Sequence, residues 1–461
     1  MNKICLPKNA HVHMIGIGGI GVSGLAIVMS GMGYRVSGSD LHPGGMKARL
    51  ESAGIKVYAG HHARHIAGAD AVVATAAVRD DNPELTAAKE KGIPVLSRAQ
   101  MLGELMNGAR GIAVSGTHGK TTTTAMLAVL LEEAALDPTI LIGGDLDILD
   151  GSNAKLGGGD ILLAEACEAF ESFLELHPNI AVITNIEADH LDYYGSLERI
   201  LESFGRFLSQ IEPGGCAILD IDSPNVRKVL PGIKSRVVTY GLSPDAVCRA
   251  EQVDANRPNP VFSVVFDGSP MGEFSLSVPG MHNVGNALAT IAVARELGIS
   301  PEVTRRALKK FHGAGRRFEV LGTVGGITVI DDYAHHPTEI AATIQGARTW
   351  GRRIVAIFQP HLFSRTRLLA REFAESLSLA DRIYLADIYP AREKPEPGVS
   401  AATIGDLIQS EFYREAVLAG AKEDVADAVL PNLLPGDLVI VMGAGDIRYA
   451  AEEILKNLHG E

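Results

Sequence analysis

A glycine-rich segment near the N-terminus carries the first chemical signal. Residues 16–21 read GIGGIG, which places Gly16, Gly18 and Gly21 in a G-x-G-x-x-G pattern directly after the apolar run 12–15. Asp40 follows about 20 residues later, at the end of a second predicted strand. This spacing is typical of a loop whose backbone N–H groups hold a diphosphate at a helix N-terminus. A tight strand-to-helix turn without a ligand is the alternative.

A second glycine segment, SGTHGKTT at residues 115–122, follows a predicted strand and precedes an apolar-periodic helix. Successive N–H groups in such a loop form an anion-binding concavity, Lys120 can reach the β- and γ-phosphates, and the Thr121 hydroxyl can bind Mg²⁺. Val114 stands where the full P-loop pattern has its first glycine. The segment predicts an ATP site.

Acidic residues and a histidine follow two further apolar runs. Glu165 and Glu168 come after residues 161–164, and a segment ending in His190 comes after residues 181–184. Ligands of α/β sheets lie at the carboxyl ends of the strands, and carboxylates suit Mg²⁺. A surface helix cap is the alternative for an isolated Asp-His pair.

Charge and composition exclude several classes of protein. The chain has 42 basic and 55 acidic residues, a net charge of −13, with no basic run, so we expect no nucleic-acid or anionic-membrane partner. Its four cysteines form no CxxC pair and favour a reducing compartment, and Cys5, Cys216 and Cys248 are interpreted as buried small residues. No apolar run approaches the roughly 20 residues of a membrane span, and the N-terminus lacks a secretory pattern. We predict a cytoplasmic protein.

The length of 461 residues corresponds to about three domains. Short β-branched runs alternate with helical periodicity, which indicates an α/β protein with parallel sheets. Strands at 12–15, 112–114 and 354–358 each open a unit. We place domains at residues 1–108, 109–314 and 315–461.

Several motifs together resemble the Mur ligases of peptidoglycan synthesis. The central-domain motifs are GTHGKTT at 116–122, NIEADH at 185–190 and GMHNVGNA at 280–287. RRF at 316–318, DDYAHHPT at 331–338 and FQPH at 358–361 extend the resemblance to the last domain. Their occurrence in the right order makes the resemblance specific.

The resemblance implies three domains: a Rossmann-like N-terminal domain that binds a UDP-sugar, a central P-loop-type ATPase domain with a mostly parallel sheet, and a Rossmann-like C-terminal domain that binds an amino acid. It implies an ATP-dependent ligase that joins L-alanine to the lactyl carboxylate of UDP-N-acetylmuramate through an acyl phosphate. ATP and Mg²⁺, or Mn²⁺, would be the cofactors. We expect a monomer or a weak homodimer.

The resemblance also assigns residues by matching position. The UDP-sugar residues would be Gly16, Gly18, Gly21, Ser39 and Asp40. The ATP residues would be Gly116, Thr117, His118, Gly119, Lys120, Thr121, Thr122, His282, Asn283, Asn286, Arg317 and Asp332. The metal ligands would be Thr121, Glu165 and His190. The amino-acid pocket would contain Tyr333, His335, His336, His361 and Arg365. Of these, Lys120, Glu165, His190, Arg317, His335, His336, His361 and Arg365 would be catalytic, and one of the last three histidines could accept the amine proton.

Three alternatives stay open. An NAD-dependent oxidoreductase would explain residues 16–21 but not the phosphate loop. A scaffold that uses ATP only to change shape would bind ATP without substrate-dependent turnover. A recycling ligase would join a whole peptide to the same sugar nucleotide. A possible metal cluster at His61, His62 and His65 is interpreted as a solvated helix or loop, because no acidic residue is adjacent.

Overall fold

The structure is a computed structural model that describes residues 6–7, 9–75, 78–391 and 393–460, with only the backbone of Asp192. Two compact units divide the chain. The first contains Met1–Glu251, Ser263–Gly272 and Gly285–Lys310, and the second contains Gln252–Phe262, Glu273–Val284 and Phe311–Glu461. Cys5, predicted to be a buried small residue, lies outside the described residues. Cys216 and Cys248 are buried, as predicted.

The N-terminal sheet has five parallel strands in the order β3-β2-β1-β4-β5. This is a doubly wound order, in which the carboxyl ends of β1 and β4 flank the switch point where ligands bind. Its elements are β1 (His11–Ile15), α1 (Ile20–Gly31), β2 (Arg35–Asp40), α2 (Met46–Ser52), β3 (Lys56–Ala59), β4 (Ala71–Ala74), α3 (Pro83–Glu90), β5 (Val95–Ser97) and α4 (Arg98–Met106).

The central sheet has ten strands. Its elements are β6 (Arg110–Ser115), α5 (Lys120–Glu133), β7 (Thr139–Leu146), β8 (Ser152–Lys155), β9 (Ile161–Glu165), β10 (Ile180–Ile183), α6 (Leu191–Tyr194), α7 (Leu197–Leu208), β11 (Cys216–Asp220), α8 (Pro224–Val229), β12 (Arg236–Gly241), β13 (Cys248–Asp254), β14 (Val261–Phe266), β15 (Ser269–Ser275), α9 (Met281–Glu296) and α10 (Pro301–Lys310). The order is β15-β14-β13-β12-β11-β10-β6-β9-β7-β8. Strand β6 is central, with β9 and β10 parallel on either side.

The C-terminal sheet has six strands in the order β16-β17-β21-β18-β19-β20, with β16 antiparallel and the others parallel. Its elements are β16 (Glu319–Val324), β17 (Ile327–Asp332), α11 (Pro337–Arg348), β18 (Ile354–Phe358), α12 (Phe363–Leu368), α13 (Ala370–Leu377), β19 (Arg382–Ala386), α14 (Ala401–Phe412), β20 (Ala416–Gly420), α15 (Val425–Val429), β21 (Leu438–Met442) and α16 (Arg448–His459). Helices cover both faces of such a sheet, so the apolar strands β18 and β21 are wholly buried.

The predicted α/β class with three domains is confirmed by the similarities reported below, and the strand runs predicted from the sequence form strands. The boundaries proposed after residues 108 and 314 fall between the three sheets, and they stay predictions. Among the described residues, no helix combines the length and the apolar character that crossing a membrane requires.

The carboxyl group of Asp220, the last residue of β11, is expected to make stability fall with rising pH. Burial raises its pKa to about 7, although the N–H of Asp222 donates to it at 2.9 Å. Between the unfolded value of about 4 and this value the folded state binds more protons, so stability is lost as the pH rises through that window. Asp220→Asn stays neutral and should raise the melting temperature at pH 8 by about 2–4 °C. Calorimetry between pH 4 and 8 measures it; a variant that loses stability in parallel with the parent would contradict the assignment.

Candidate functional site

A cleft of about 610 Å³ opens at the carboxyl end of the N-terminal sheet, within the first unit. The glycine loop, the start of α1 and the residues after β2 and β4 form its walls. It is lined by Gly16, Gly19, Ile20, Gly21, Val22, Asp40, Leu41, His61, Thr75, Val78, Arg79, Asp81, Asn82, Pro83 and Arg98. The predicted diphosphate loop therefore borders a cleft of ligand size.

Glycine is required in this loop for steric reasons. Gly16 has φ +79°, and a Cβ there would lie 2.5 Å from Cγ2 of Thr75. The N–H of Gly18 donates to Oδ2 of Asp40 at 3.0 Å, so the acid predicted to contact the nucleoside also fixes the loop. Ser39 is buried, and its hydroxyl donates to Glu84. A direct contact of Ser39 with a nucleoside stays a prediction.

Arg98 is a cleft residue that the sequence motifs did not reveal. It is the first residue of α4, which Ser97 caps. Its guanidinium lies so close to the glycine loop that a Cβ added at Gly21 would be 3.2 Å from it. An arginine beside a helix N-terminus is a favourable site for a diphosphate. Because Arg98 is 77 residues from Gly21 in sequence, no local pattern connects the two.

The phosphate loop connects β6 to α5 in the left-handed turn that its glycines permit. Gly116 has φ +133° and Gly119 has φ +80°, and a Cβ at Gly119 would lie 2.7 Å from Oδ1 of Asn286. The N–H of His118 donates to Oδ1 of Asn185 at 2.8 Å, and the side-chain amide of Asn185 donates to the His118 carbonyl. The loop is thus braced by the segment that follows β10. Neighbouring atoms leave no room for a side chain at Gly116 or Gly119.

Lys120 is held by the loop itself and by a buried acid. Its Nζ donates to the carbonyls of Gly116 at 2.6 Å and Thr117 at 3.0 Å, and lies 2.9 Å from Oε2 of Glu168. Burial opposes the charge, but Glu168 and the other acidic groups nearby together outweigh burial and raise the pKa of Lys120 above its usual value. The lysine is a fixed cation at the mouth of an anion-binding loop.

The residues proposed as metal ligands all belong to the first unit. Glu165 ends β9 and accepts a hydrogen bond from the N–H of Gly143 at 2.8 Å. His190 lies beyond β10, has φ +53°, and its Nε2 is 3.8 Å from Oε1 of Glu168. Thr121 is buried in the first turn of α5. Carboxylate and hydroxyl oxygens at neighbouring strand ends fit a hard cation beside phosphates.

The segment after β10 contributes further loop contacts. The N–H of Glu187 donates to Oγ1 of Thr117 at 2.8 Å, and its carboxylate lies 3.3 Å from Nε2 of His118. Thr122, another of the predicted ATP residues, is half-buried in the first turn of α5. The NIEADH motif predicted metal ligands, but its first and third residues, Asn185 and Glu187, brace the phosphate loop.

The residues predicted to lie against adenine occupy the first turns of α9. In the second unit, the His282 ring lies over Gly280, where a Cβ would be 2.6 Å away, and the Asn283 amide donates to the Pro279 carbonyl at 2.7 Å. In the first unit, Oδ1 of Asn286 accepts from the Thr123 hydroxyl at 3.0 Å. Their contact with adenine stays a prediction.

At the carboxyl end of β17, Asp332 anchors the turn that carries the next predicted residues. Its carboxylate accepts hydrogen bonds from the N–H groups of Phe318 at 3.0 Å and Ala334 at 2.8 Å. Burial raises its pKa to about 6, although Arg317 opposes the shift. These contacts make Asp332 an organiser of its own loop, and its proposed contact with the ATP ribose stays a prediction.

Three of the residues predicted for the amino-acid pocket, Tyr333, His335 and His361, form an aromatic and histidine cluster in the second unit. The guanidinium of Arg317 lies 5.2 Å from the Tyr333 ring centre, and the His335 ring lies 6.2 Å from that of His361. His361 also stacks on Tyr389 at 5.7 Å, a residue that no motif revealed. The other two residues predicted for this pocket are His336, which caps α11, and Arg365, which is half-buried on α12.

The prediction that residues 61–65 form a solvated segment is wrong for His65. His65 is buried, and its Nδ1 lies 2.7 Å from Oε1 of Glu84. His61 also approaches Glu84, at 3.3 Å, whereas His62 caps the short helix Ala63–Ile66 through its ring. The acid was missed because it stands 19 residues beyond His65 in the chain.

Comparison with protein families gives three matches along the chain. Residues 11–110 match the Mur ligase family catalytic domain, residues 114–294 the Mur ligase middle domain, and residues 316–445 the Mur ligase glutamate ligase domain. The matches follow one another in chain order.

Individual relatives extend the similarity over the whole chain. The UDP-N-acetylmuramate--L-alanine ligase of Geobacter sulfurreducens is 48% identical over 454 residues, which cover 98% of each chain. The crystal structure of UDP-N-acetylmuramate-alanine ligase MurC from Thermotoga maritima has a TM-score of 0.84 and 32% identity, covering 98% of this chain and 99% of that one. A murein peptide ligase from Psychrobacter arcticus has a TM-score of 0.73 and 27% identity, with 98% and 99% coverage. On this evidence, the chain belongs to the Mur ligase family.

Proposed function

We propose that this chain is an ATP-dependent ligase that joins L-alanine to the lactyl carboxylate of UDP-N-acetylmuramate, a cytoplasmic step in peptidoglycan precursor synthesis. The observation that carries the proposal is the 48% identity to a ligase of that name over 98% of both chains. The cleft beside residues 16–21 and the braced loop at residues 115–122 support separate sites for a diphosphate and for ATP.

Activation of the carboxylate is the first chemical step. The lactyl carboxylate attacks the γ-phosphorus of ATP, the bond from that phosphorus to the bridging oxygen breaks, and ADP and an acyl phosphate form. Lys120 stabilises negative charge on the phosphates, and we assign the same task to Arg317 from the family resemblance. A carboxylate otherwise resists attack by an amine, because its charge repels the nucleophile and oxide is a poor leaving group.

Amide formation is the second step. The neutral amine of L-alanine attacks the acyl carbon, and phosphate leaves from the tetrahedral intermediate while the amine loses a proton. Arg365 is the proposed partner of the alanine carboxylate, since a guanidinium pairs with both oxygens. His335, His336 or His361 accepts the proton, directly or through water.

Thr121, Glu165 and His190 are the proposed ligands of Mg²⁺ or Mn²⁺. The metal, when bound, neutralises charge on the transferred phosphoryl group. Glu165 supports this assignment because its carboxylate stands at the end of β9, next to the strand that precedes the phosphate loop.

The test is ADP release from ATP and Mg²⁺ with UDP-N-acetylmuramate, in the presence and absence of L-alanine. We expect release to require both co-substrates and the sugar nucleotide to gain the mass of one alanyl residue. Release with a tripeptide but not with L-alanine would instead favour the peptide-recycling ligase. Nicotinamide-dependent absorbance changes without ADP release would revive the oxidoreductase.

Arg98 provides a prediction specific to the cleft. We expect Arg98→Ala to raise the KM for UDP-N-acetylmuramate about tenfold with little change in kcat, because the guanidinium contacts the diphosphate in ground and transition states alike. Initial-rate kinetics with each substrate varied in turn measure the effect. Arg35→Ala is the matched control, since Arg35 begins β2 at the opposite end of the same sheet. A tenfold fall in kcat with unchanged KM would contradict the assignment.

A further inference from the structure

A buried carboxylate lies next to the N-terminal cleft, and the proposed chemistry does not use it. Glu84, in the first turn of α3, is fully buried. Its Oε1 lies 2.7 Å from Nδ1 of His65, while its Oε2 accepts from the Ser39 hydroxyl and lies 3.3 Å from Nδ1 of His61 and 3.6 Å from Nε2 of His13. One acid thus connects β1, β2, α3 and the segment between β3 and β4.

The cluster keeps this carboxylate charged. Burial alone would raise the pKa of Glu84, but its interactions with His13, Ser39 and His65 together outweigh burial and lower the pKa to about 2. A buried charge is costly unless its partners are fixed around it. Glu84 therefore acts at neutral pH as an acceptor that orients the groups donating to it.

His61 connects this acceptor to the cleft. Of the three histidine side chains that the structure describes around Glu84, His61 alone lines the cleft, beside Asp40 and Asn82. Its Nδ1 faces the Ser39 hydroxyl at 3.0 Å and the Glu84 carboxylate at 3.3 Å. A carboxylate can only accept, so the proton of the neutral ring is on Nδ1 and the lone pair is on Nε2.

His65 has the complementary role of fixing the carboxylate from the other side. Its ring is buried and stacks on Tyr58 with centroids 4.1 Å apart and planes 9° from parallel. Its hydrogen bond to Oε1 leaves Oε2 for His61 and Ser39. The carboxylate is thereby prevented from turning away from His61.

We propose that Glu84 is a positioning residue that holds His61 with Nε2 as a hydrogen-bond acceptor for the nucleoside of the sugar nucleotide. The groups that suit this acceptor are the ribose hydroxyls and the imide N–H of uracil. A nucleoside lies at this end of the cleft if the diphosphate occupies the glycine loop. The inference rests on the proposed function.

A double-mutant cycle in the full-length protein tests the proposal, with UDP as the probe and calorimetric titration as the measurement. We expect His61→Ala and Glu84→Gln each to weaken UDP binding about 5- to 10-fold, the usual effect of one good hydrogen bond. In the double variant we expect less than about twofold additional weakening, because Glu84 acts through His61. His61→Gln, whose amide oxygen can replace Nε2 as acceptor, should recover part of the affinity.

Several controls separate positioning from a general effect on folding. ADP affinity, and the KM values for ATP and L-alanine, should stay within twofold in every variant, with only the KM for UDP-N-acetylmuramate raised. Glu296→Gln changes another mostly buried glutamate, paired with Arg236 far along the chain, and should leave UDP binding unchanged. If Glu84→Gln does not fold, Ser39→Ala removes the hydroxyl that contacts both groups and takes its place in the cycle.

Two outcomes would overturn the proposal. Fully additive losses would show that Glu84 acts independently of His61, and unchanged affinity in His61→Ala would remove the nucleoside contact. Either result leaves the ligase assignment intact, provided that the parent protein binds UDP and releases ADP. Failure of the parent protein to bind UDP would overturn both.

Discussion

Lys120→Ala should lower kcat roughly 10³-fold or more, because it removes the fixed cation that we propose stabilises charge on the transferred phosphoryl group. Its Nζ is held by two loop carbonyls and Glu168, so its position needs no rearrangement before ATP arrives. Single-turnover measurement of ADP formation with UDP-N-acetylmuramate reports this step directly. A variant that keeps kcat within tenfold of the parent would exclude Lys120 from the chemistry.

The same substitution should also destabilise the protein, and the two effects can be separated. Removing Lys120 leaves the buried Glu168 carboxylate without its cation, which costs about 3 kcal/mol of unfolding free energy. Adding Glu168→Gln removes the unpaired charge, so the double variant should recover most of the stability in urea titrations. Activity should not recover. Recovery of both would mean that the loss in Lys120→Ala came from misfolding.

The positions of the phosphate loop and of the acids after β9 and β10 could be predicted because both depend on local pattern. An apolar run of four or five residues forms a buried strand, and the residues that follow it emerge at the carboxyl end of the sheet. For this reason the sequence predicts that Glu165 and His190 follow the ends of two strands, where an α/β sheet places its ligands. Their contact with a metal is still a prediction.

The partners of the functional residues could not be predicted in the same way. Lys120 pairs with an acid 48 residues away, and Glu84 contacts His65 and His61, which precede it by 19 and 23 residues. Such contacts depend on which strands become neighbours, and periodicity does not specify that order. Ser39 illustrates the consequence: the family resemblance assigns it to the UDP-sugar, and its hydroxyl also donates to buried Glu84, a contact that no local pattern indicates.

Arg317→Ala should have the second largest effect, a loss of about 10³-fold in kcat, since a guanidinium on the transferred phosphoryl group is worth at least that much in related chemistry. The neighbouring arginine gives a matched control. Arg316 donates to the Gly443 carbonyl at 2.8 Å and pairs with buried Asp331 at 3.3 Å. Arg317 approaches Oε1 of Glu339 only at 3.9 Å, which is longer than a hydrogen bond.

Because Arg316 is held by close partners and Arg317 is not, the two alanine variants should differ in stability and in turnover. Arg316→Ala should lower the unfolding free energy by about 1–2 kcal/mol, because Asp331 keeps its second partner Arg448 at 3.1 Å, and should leave kcat within about threefold. Arg317→Ala should do the reverse, with stability nearly unchanged and turnover lost. Arg317→Lys retains the charge without the planar pair of donors and should recover only part of the rate. Equal losses of kcat in the two alanine variants would indicate that the arginine pair supports the Tyr333 loop and that neither guanidinium acts on the phosphoryl group.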